Sequence, residues 1–326
     1  MQQNSTWRAH NNIALIKYWG KRDEALILPM NSNLSLTLDE FYTDTTITFS
    51  RSLAEDSLIL NDKPVSTAKM TPFLDLFRTV AKTNLKAQVI SVNHVPTGAG
   101  LASSASAFAA AAAAASDALH LNFSLPLLSR YARRGSGSAC RSVYGGFVEW
   151  QKGTDDETSY AVPFDDANWD IAMVTVMINT QPKKISSRAG MRHTVETSAY
   201  YAQWVDSAED DLTLIKPAIK AHDFDTVGKI AERNAFRMHA TTLASDPPFW
   251  YLEPETLHAI QVIHALRDEG FSVYITMDAG PNVKVLCRKS ESHQIKERLQ
   301  QQLNNTEILI ATPGPGVQRV MGDLND

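Results

Sequence analysis

Cysteine is scarce in this sequence of 326 residues, and the scarcity excludes two kinds of architecture. Cys140 and Cys287 are the only cysteines, and they lie far apart without a neighbouring Cys/His set. A disulfide framework needs several spaced cysteines, and a zinc site needs four ligands arranged in close sequence pairs. The sequence therefore predicts neither, and the pattern favours a reducing compartment, so we expect a cytoplasmic protein.

Long apolar runs and long basic runs are also missing. No stretch approaches the roughly 18 apolar residues that cross a bilayer, and the polar first twelve residues contain no signal-like apolar core. The net charge is −5, and Lys and Arg are dispersed rather than collected into a basic face that could bind a nucleic-acid backbone. We therefore expect a protein that is not exported, does not span a membrane and does not bind nucleic acid.

What remains is an ordinary globular composition, with 44% hydrophobic and 21% charged residues. The periodicity predicts an α/β (α+β) chain that begins with strands and becomes helix-rich after about residue 190. We place the domain boundary at that change, giving domains 1–187 and 188–326. The predicted strands are 13–18, 34–38, 45–50, 88–93, 147–151, 171–179, 272–277, 283–288 and 307–311. The predicted helices are 71–84, 101–119, 126–134, 194–215, 225–241, 254–269 and 291–303, with a loop at 135–139 and a loose tail at 312–326.

The most informative segment is 96–105, Pro-Thr-Gly-Ala-Gly-Leu-Ala-Ser-Ser-Ala, which runs from a Pro/Gly loop into an Ala-rich helix. Small residues allow a tight turn, and the free N–H groups at a helix N-terminus form an anion site. The segment is neither a Walker A loop nor a dinucleotide fingerprint. Two interpretations stay open on spacing alone: a polyphosphate-binding loop, or a simple turn before a packed helix.

Six further segments accompany this loop in the sequence. They are 12–23 (NIALIKYWGKRD), 29–37 (PMNSNLSLT), 135–146 (GSGSACRSVYGG), 187–191 (SRAGM), 238–240 (MHA) and 277–283 (MDAGPNV). Together with the loop they resemble the diphosphomevalonate decarboxylases of the GHMP kinase superfamily, in the same order, from about residue 7 to about residue 311. Gly98 stands where that family often has alanine, a change that the turn should tolerate.

The resemblance implies a fold, a reaction and its cosubstrate. We expect the GHMP kinase fold, with a left-handed βαβ crossover in the N-terminal domain and an antiparallel sheet in a helix-rich C-terminal domain. Members of the family form homodimers and use Mg²⁺ and ATP. They phosphorylate the tertiary 3-hydroxyl of mevalonate 5-diphosphate, and loss of phosphate and CO₂ then yields isopentenyl diphosphate in the mevalonate pathway.

The resemblance also implies roles for individual residues. Asp278 would orient the 3-hydroxyl and accept its proton, Lys17 would stabilise the transferring phosphoryl group, and Arg141 would grip the substrate carboxylate, with Asn12 beside them. The other expected substrate contacts are Tyr18, Lys21, Ser136, Ser138, Ser187, Arg188 and Met191. The expected contacts to the ATP phosphates are Pro96, Gly98, Ala99, Gly100, Leu101, Ala102, Ser103, Ser104, Ser106 and Lys183, and Ser104 is the candidate Mg²⁺ ligand.

Without the resemblance, other interpretations of these residues stay open. Asp278 opens a turn, where Asp is a common turn former, and Arg141 and Arg188 could form surface ion pairs. His10, His193 and His239 receive no role. The alternative functions are a small-molecule kinase of the same superfamily, a phosphomevalonate decarboxylase, and a ligand-binding regulator without turnover.

Overall fold

Two main sheets and eight α-helices form the part of the chain that the computed structural model describes, namely residues 3–94, 103–181, 183–303 and 306–320. The strands are β1 Gln3–Ile16, β2 Lys21–Asp23, β3 Leu28–Pro29, β4 Asn33–Ser50, β5 Ser57–Leu60, β6 Lys63–Val65, β7 Lys86–His94, β8 Phe147–Trp150, β9 Ala161–Asp165, β10 Ala172–Met177, β11 Val273–Met277, β12 Val283–Cys287, β13 Glu307–Ala311 and β14 Gln318–Arg319. The helices are α1 Met70–Ala81, α2 Ser103–Ala118, α3 Leu125–Gly135, α4 Ser187–Thr197, α5 Tyr201–Lys220, α6 Phe224–Leu243, α7 Pro254–Asp268 and α8 Ser292–Gln302. Within the described ranges, no helix has the length and apolarity needed to cross a membrane.

The first sheet is built around the long antiparallel pair β1 and β4, in the order β14-β1-β4-β7-β5-β6, with β8 on β4 and β9 on β8. Helix α2 packs on β1 and β4. Its alanines from 109 to 115 are buried, and their small side chains let the helix backbone approach the strands closely. The hydroxyl–hydroxyl contact of Ser106 with Thr43, at 2.7 Å, fixes the register of that packing.

The second sheet is antiparallel throughout, in the order β11-β12-β10-β13. Helices α7 and α8 bury an apolar face against it, through residues such as Ile263 and Ile295. Helices α5 and α6 pack between this sheet and the β1–β4 pair, in a core cluster that includes Ile13, Trp204 and Leu286. That shared core holds the two sheets together, and the turn after β11 therefore faces the end of β1.

The architecture confirms the mixed α/β prediction, including the antiparallel sheet in the helix-rich second half. The parallel pair is β5 and β7, joined through β6 and α1, and the left-handed crossover stays a prediction. So does the domain boundary at residue 187. Strand β10, which precedes that boundary, pairs within the second sheet.

Several local predictions differ from the structure in extent. Residues 13–16, 34–38 and 45–50 are strand residues as predicted, but they are parts of β1 and β4, which run for 14 and 18 residues. The buried Thr and Ser residues of these strands obscured their full length in the sequence. The predicted loop at 135–139 lies partly in a 3₁₀ helix, Gly137–Val143. The predicted helix 194–215 is two helices, because Ser198 is extended and ends α4.

The tail predicted to be loose is held in place as far as residue 320. The N–H and hydroxyl of Thr312 donate to the carboxylate of Asp39 at 2.7 and 2.6 Å, and β14 then pairs with β1. Sequence periodicity did not detect this return because the segment contacts a distant strand rather than its neighbours. Residues 321–326 lie outside the described residues.

Candidate active site

A cavity of about 360 Å³ lies where the end of β1, the N-terminal end of α2, the 3₁₀ helix, the start of α4 and the turn after β11 meet. Most of the segments singled out in the sequence contribute to its wall. The lining includes Asn12, Lys17, Tyr18, Lys21, Lys69, Ser104, Ser136, Ser138, Arg141, Ser187, Arg188, Met191, Met238 and Asp278. Asn12 and Asp278, which are 266 positions apart in the chain, thus share one wall.

A carboxylate held between two lysines forms one end of the cavity. Lys17 Nζ lies 2.9 Å from Asp278 Oδ1, and Lys284 Nζ lies 3.6 Å from Asp278 Oδ2. Both lysines are almost fully buried, whereas a quarter of the Asp278 side chain is exposed. Two further hydrogen bonds hold Lys17 in place. Its backbone N–H donates to Asn234 Oδ1 at 2.8 Å, and its Nζ donates to the carbonyl of Ala14 at 2.8 Å.

Burial and neighbouring charge set the protonation of this group. Burial alone would raise the pKa of Asp278, but the charges of Lys17 and Lys284 lower that pKa well below its ordinary value. Burial lowers the pKa of Lys17, and the charges of Lys284 and Arg141 lower it further, while Asp278 opposes the shift. Asp278 is therefore ionised throughout the neutral range, and it accepts hydrogen bonds without needing to lose a proton first.

Arg141 is a buried cation that is oriented by neutral groups. Its Nε donates to Asn12 Oδ1 at 3.1 Å, and its Nη1 donates to Asn33 Oδ1. Asn12 is fixed in turn, because its Nδ2 donates to Ser142 Oγ at 2.8 Å. In the part of the chain that the structure describes, no carboxylate pairs with Arg141. Two amide oxygens thus fix the guanidinium without forming an ion pair with it, which suits it for an anionic ligand.

Hydroxyl groups form the wall beside Arg141. Ser104, in the first turn of α2, lies 3.2 Å from Ser136 (Oγ to Oγ), and Ser136 and Ser138 are 3.5 Å apart. Tyr18 packs against Gly137, where a Cβ would come within 2.8 Å of its ring. The Tyr18 hydroxyl is buried and has no hydrogen-bond partner among the described residues. Because a buried hydroxyl normally finds a partner, this one fits a ligand oxygen.

The remaining predicted contacts lie at the rim of the cavity or outside it. Lys21 and Arg188 line it, although Lys21 Nζ also pairs with Glu24 at 2.6 Å. Lys183 reaches over the Asp278 turn, near Gly280, and donates to Ser187 Oγ at 3.3 Å. Ser106 is fully buried, away from the lining. Its contact with phosphate stays a prediction.

The predicted phosphate loop lies mostly outside the described residues. Pro96, Gly98, Ala99, Gly100, Leu101 and Ala102 all fall in the gap between residues 94 and 103, and the side chain of Ser103 is not described either. The structure does place the beginning of α2, with Ser104, at the cavity wall. The end of the loop therefore reaches the site.

Three contributors to the site were missed by sequence reasoning. Lys284 was not considered, although a lysine within the otherwise apolar strand VKVLC is an unusual residue that would have been a usable signal. Asn33 was included only within the segment 29–37 and was given no role. His239 was given no role, yet it is buried beside the pair, and burial together with the charge of Lys17 lowers its pKa to about 4.

The site fits Mg²⁺ carried on a nucleotide better than a metal cage made by the protein. Among the described residues, no group of three or more His, Cys, Asp or Glu side chains is placed to hold a metal ion. Mg²⁺ commonly keeps several waters and binds through few protein oxygens together with substrate phosphates. The Ser104 hydroxyl could supply one such oxygen, while Asp278 is engaged by the two lysines.

Comparison with known proteins agrees with the arrangement of the site. The family model described as diphosphomevalonate decarboxylase-like N-terminal domain matches residues 9–161, and the mevalonate 5-diphosphate decarboxylase C-terminal domain matches residues 172–314. The chain belongs to the diphosphomevalonate decarboxylase family. The resemblance inferred from the sequence segments is thereby confirmed.

Individual relatives cover most of the chain. A diphosphomevalonate decarboxylase of Aspergillus fumigatus is 37% identical over 316 residues, which is 89% of this chain and 78% of that protein. The solved mevalonate diphosphate decarboxylase of Staphylococcus aureus is 48% identical, with a TM-score of 0.95 over 98% of this chain and 99% of its own. A structure of MDDEF in complex with MVAPP, AMPPCP and magnesium is 49% identical, with a TM-score of 0.94 over 99% of this chain and 100% of its own.

Proposed function

We propose that the cavity converts mevalonate 5-diphosphate and ATP into isopentenyl diphosphate, ADP, phosphate and CO₂. The observation that carries the proposal is the pairing, in one cavity, of an ionised Asp278 beside Lys17 with a guanidinium that has no carboxylate partner in the described chain. The first arrangement suits phosphoryl transfer to an alcohol. The second suits a carboxylate held in a fixed direction.

Phosphorylation would take place at the Asp278 end of the cavity. The carboxylate accepts a hydrogen bond from the 3-hydroxyl and takes up its proton as the oxygen bonds to the terminal phosphorus of ATP, while the bond from that phosphorus to ADP breaks and ADP leaves. With its low pKa Asp278 is a weak base, but a loose transition state needs the alcohol to be aligned more than fully deprotonated. Lys17 is within reach of the same point and would stabilise charge on the transferring group, and a bound Mg²⁺ would neutralise charge on the nucleotide phosphates.

Decarboxylation would follow at the Arg141 end. Departure of the 3-phosphate leaves a tertiary carbocation-like centre, which draws in the electron pair of the bond to the carboxylate carbon and releases CO₂. Arg141 has to hold the carboxylate without removing its electron density. Because Asn12 and Asn33 contact the guanidinium through neutral oxygens, its direction is fixed by the protein while its charge stays free for the substrate.

The diphosphate of the substrate needs a separate set of contacts. Tyr18, Lys21, Ser136, Ser138 and Arg188 line the cavity on the side of α3 and α4, so they are the proposed contacts, with Ser187 and Met191 at the same wall. Lys183 is the proposed contact to the nucleotide phosphates, because it lies over the Asp278 turn. Location in the cytoplasm, assembly as a homodimer and the division at residue 187 are part of the same proposal.

One assay tests the proposal against its alternatives. The protein is incubated with Mg²⁺, ATP and mevalonate 5-diphosphate, and ADP and CO₂ are both measured. Equal amounts of ADP and CO₂ support the proposal. ADP without CO₂ would instead indicate a small-molecule kinase, turnover only with the 5-monophosphate would indicate a phosphomevalonate decarboxylase, and neither product would indicate a regulator.

The uncharged amide contacts of Arg141 lead to a separate prediction. In Asn33→Asp, a carboxylate would replace the amide oxygen that Nη1 contacts and would compete with the substrate for the guanidinium. We expect the KM for mevalonate 5-diphosphate to rise at least about tenfold, while the KM for ATP changes little. Steady-state kinetics measure both values.

Asn168→Asp is the matched control, because it adds the same charge at an exposed position away from the cavity. It should leave both KM values unchanged. If Asn33→Asp bound the substrate as well as the unaltered protein does, Arg141 could not be the carboxylate ligand.

A further inference from the structure

Lys284 has no place in the proposed reaction, yet its position is unusual. It is the second residue of β12, which lies between β10 and β11, and only 1% of its surface is exposed. Its lateral neighbours on the flanking strands are Thr175 and Thr276. A charged side chain in a central strand is costly unless its charge is compensated, so a lysine here needs a reason that packing does not supply.

The ammonium of Lys284 is poorly satisfied by the protein. Within the described ranges, its hydrogen bonding is limited to a long 3.4 Å contact with the carbonyl of Asn282, and its carboxylate partner is Asp278 at 3.6 Å. The hydroxyl of the neighbouring Thr175 is also buried without a partner there. A structural ion pair would be expected to be closer and better hydrogen-bonded than this. Stability therefore does not explain the residue.

The two lysines approach Asp278 from different sides. Lys17 contacts Oδ1 and lines the cavity, whereas Lys284 contacts Oδ2 and is absent from the lining. Lys17 can thus exchange Asp278 for a phosphoryl oxygen during the reaction. Lys284, which has no access to the cavity, stays with the carboxylate.

We propose that Lys284 is a positioning residue, which holds Oδ2 of Asp278 from behind so that Oδ1 and Lys17 remain directed at the substrate. This role of Lys284 rests on the proposed function, in which Asp278 and Lys17 act in phosphoryl transfer. Lys284 keeps Asp278 anionic when Lys17 turns to the phosphoryl group. The positive charge of Lys284 also lowers the pKa of Lys17, as burial does.

The test is Lys284→Met, which keeps the length of the side chain and removes the charge. We expect kcat to fall about 10²-fold, because the carboxylate that aligns the alcohol loses its fixed position, while the KM for mevalonate 5-diphosphate stays within a few-fold. The melting temperature should not fall, because the variant removes an under-satisfied cation from a group that also contains Lys17, Lys183 and Arg141.

The pH profile separates positioning from a merely structural role. The charged and titratable groups around the pair are Lys17 just after β1, Arg141 on the 3₁₀ helix, Lys183 before α4, His239 on α6 and Asp278 itself. Removing a positive charge raises the pKa of each neighbour. The alkaline limb of kcat/KM, where Lys17 loses its proton, should therefore move to higher pH by about one unit. A structural role would lower the whole profile without moving it.

Two controls complete the experiment. Lys289→Met removes an exposed lysine from the same region and should leave kcat, the melting temperature and the pH profile unchanged. If Lys284→Met does not fold, Lys284→Gln, which keeps a polar tip, takes its place in the same measurements. The proposal is overturned if a folded variant at residue 284 keeps its kcat, or if its alkaline limb stays in place. Absence of CO₂ from the unaltered protein would instead reject the proposed function.

Discussion

Asp278→Asn should fold, bind both substrates and turn over about 10²- to 10⁴-fold more slowly than the unaltered protein. The amide keeps the shape of the side chain but cannot orient the 3-hydroxyl as an anion does. Single-turnover measurement of ADP formation tests the phosphoryl step directly, and equilibrium binding of mevalonate 5-diphosphate tests whether the site is intact. Turnover near the normal rate would remove Asp278 from the mechanism.

The melting temperature of Asp278→Asn is a second measurement on the same variant. Without the carboxylate, Lys17 and Lys284 are left buried near each other with no counter-charge, so Asp278→Asn should lower the melting temperature. The double variant Asp278→Asn with Lys284→Met should recover much of that loss and remain inactive. Asp268→Asn, at an exposed position on α7, is the matched control and should change neither stability nor rate.

Arg141→Gln should separate the two halves of the reaction. The glutamine keeps a polar group near the position of Nε, which contacts Asn12, but it lacks the Nη1 group that contacts Asn33 and carries no charge, so the substrate carboxylate loses its fixed direction. We expect kcat/KM to fall about 10³-fold, which corresponds to the loss of a buried charged hydrogen-bonded pair of about 4 kcal/mol. We also expect ADP to be formed in excess of CO₂, because phosphorylation depends on Asp278 rather than on Arg141.

Comparison with Arg141→Lys shows whether geometry or charge matters more. Lysine keeps the charge but loses the planar, two-pronged contact, so its activity should lie between that of the unaltered protein and that of Arg141→Gln. Arg298→Gln removes an arginine from a surface ion pair with Glu269 and should have almost no effect. If Arg141→Gln released CO₂ and ADP in equal amounts at a normal rate, the carboxylate would have to bind elsewhere.

The site was more predictable from the sequence than the sheet was. Lys17, Arg141 and Asp278 lie in short segments with distinctive residue order, and the structure brings all three to one cavity. The lengths of β1 and β4 could not be read from alternation, because long stretches of both strands are buried on both faces and carry Thr and Ser there. Alternation of polar and apolar residues reveals a strand only when one of its faces is exposed to solvent, and these strands are buried on both faces over much of their length.

Lys284 and Asn33 were harder to predict for a different reason. Neither residue lines the cavity, and Asn33 contacts Arg141, which is 108 residues away in the sequence. Lys284 lies only six residues from Asp278, but the turn between them hides that the two side chains meet. Contacts behind a site depend on the strand register, which becomes visible only when the chain is folded.

The return of the chain after β13 has a mechanical consequence. The polypeptide passes from the first sheet to the second between β9 and β10, and it passes back between β13 and β14, where Thr312 is bonded to Asp39. Two covalent connections, together with the shared core, restrain how far the two sheets can separate. Arg188 and Lys69 are exposed and line the cavity, so they mark the side on which it opens to solvent.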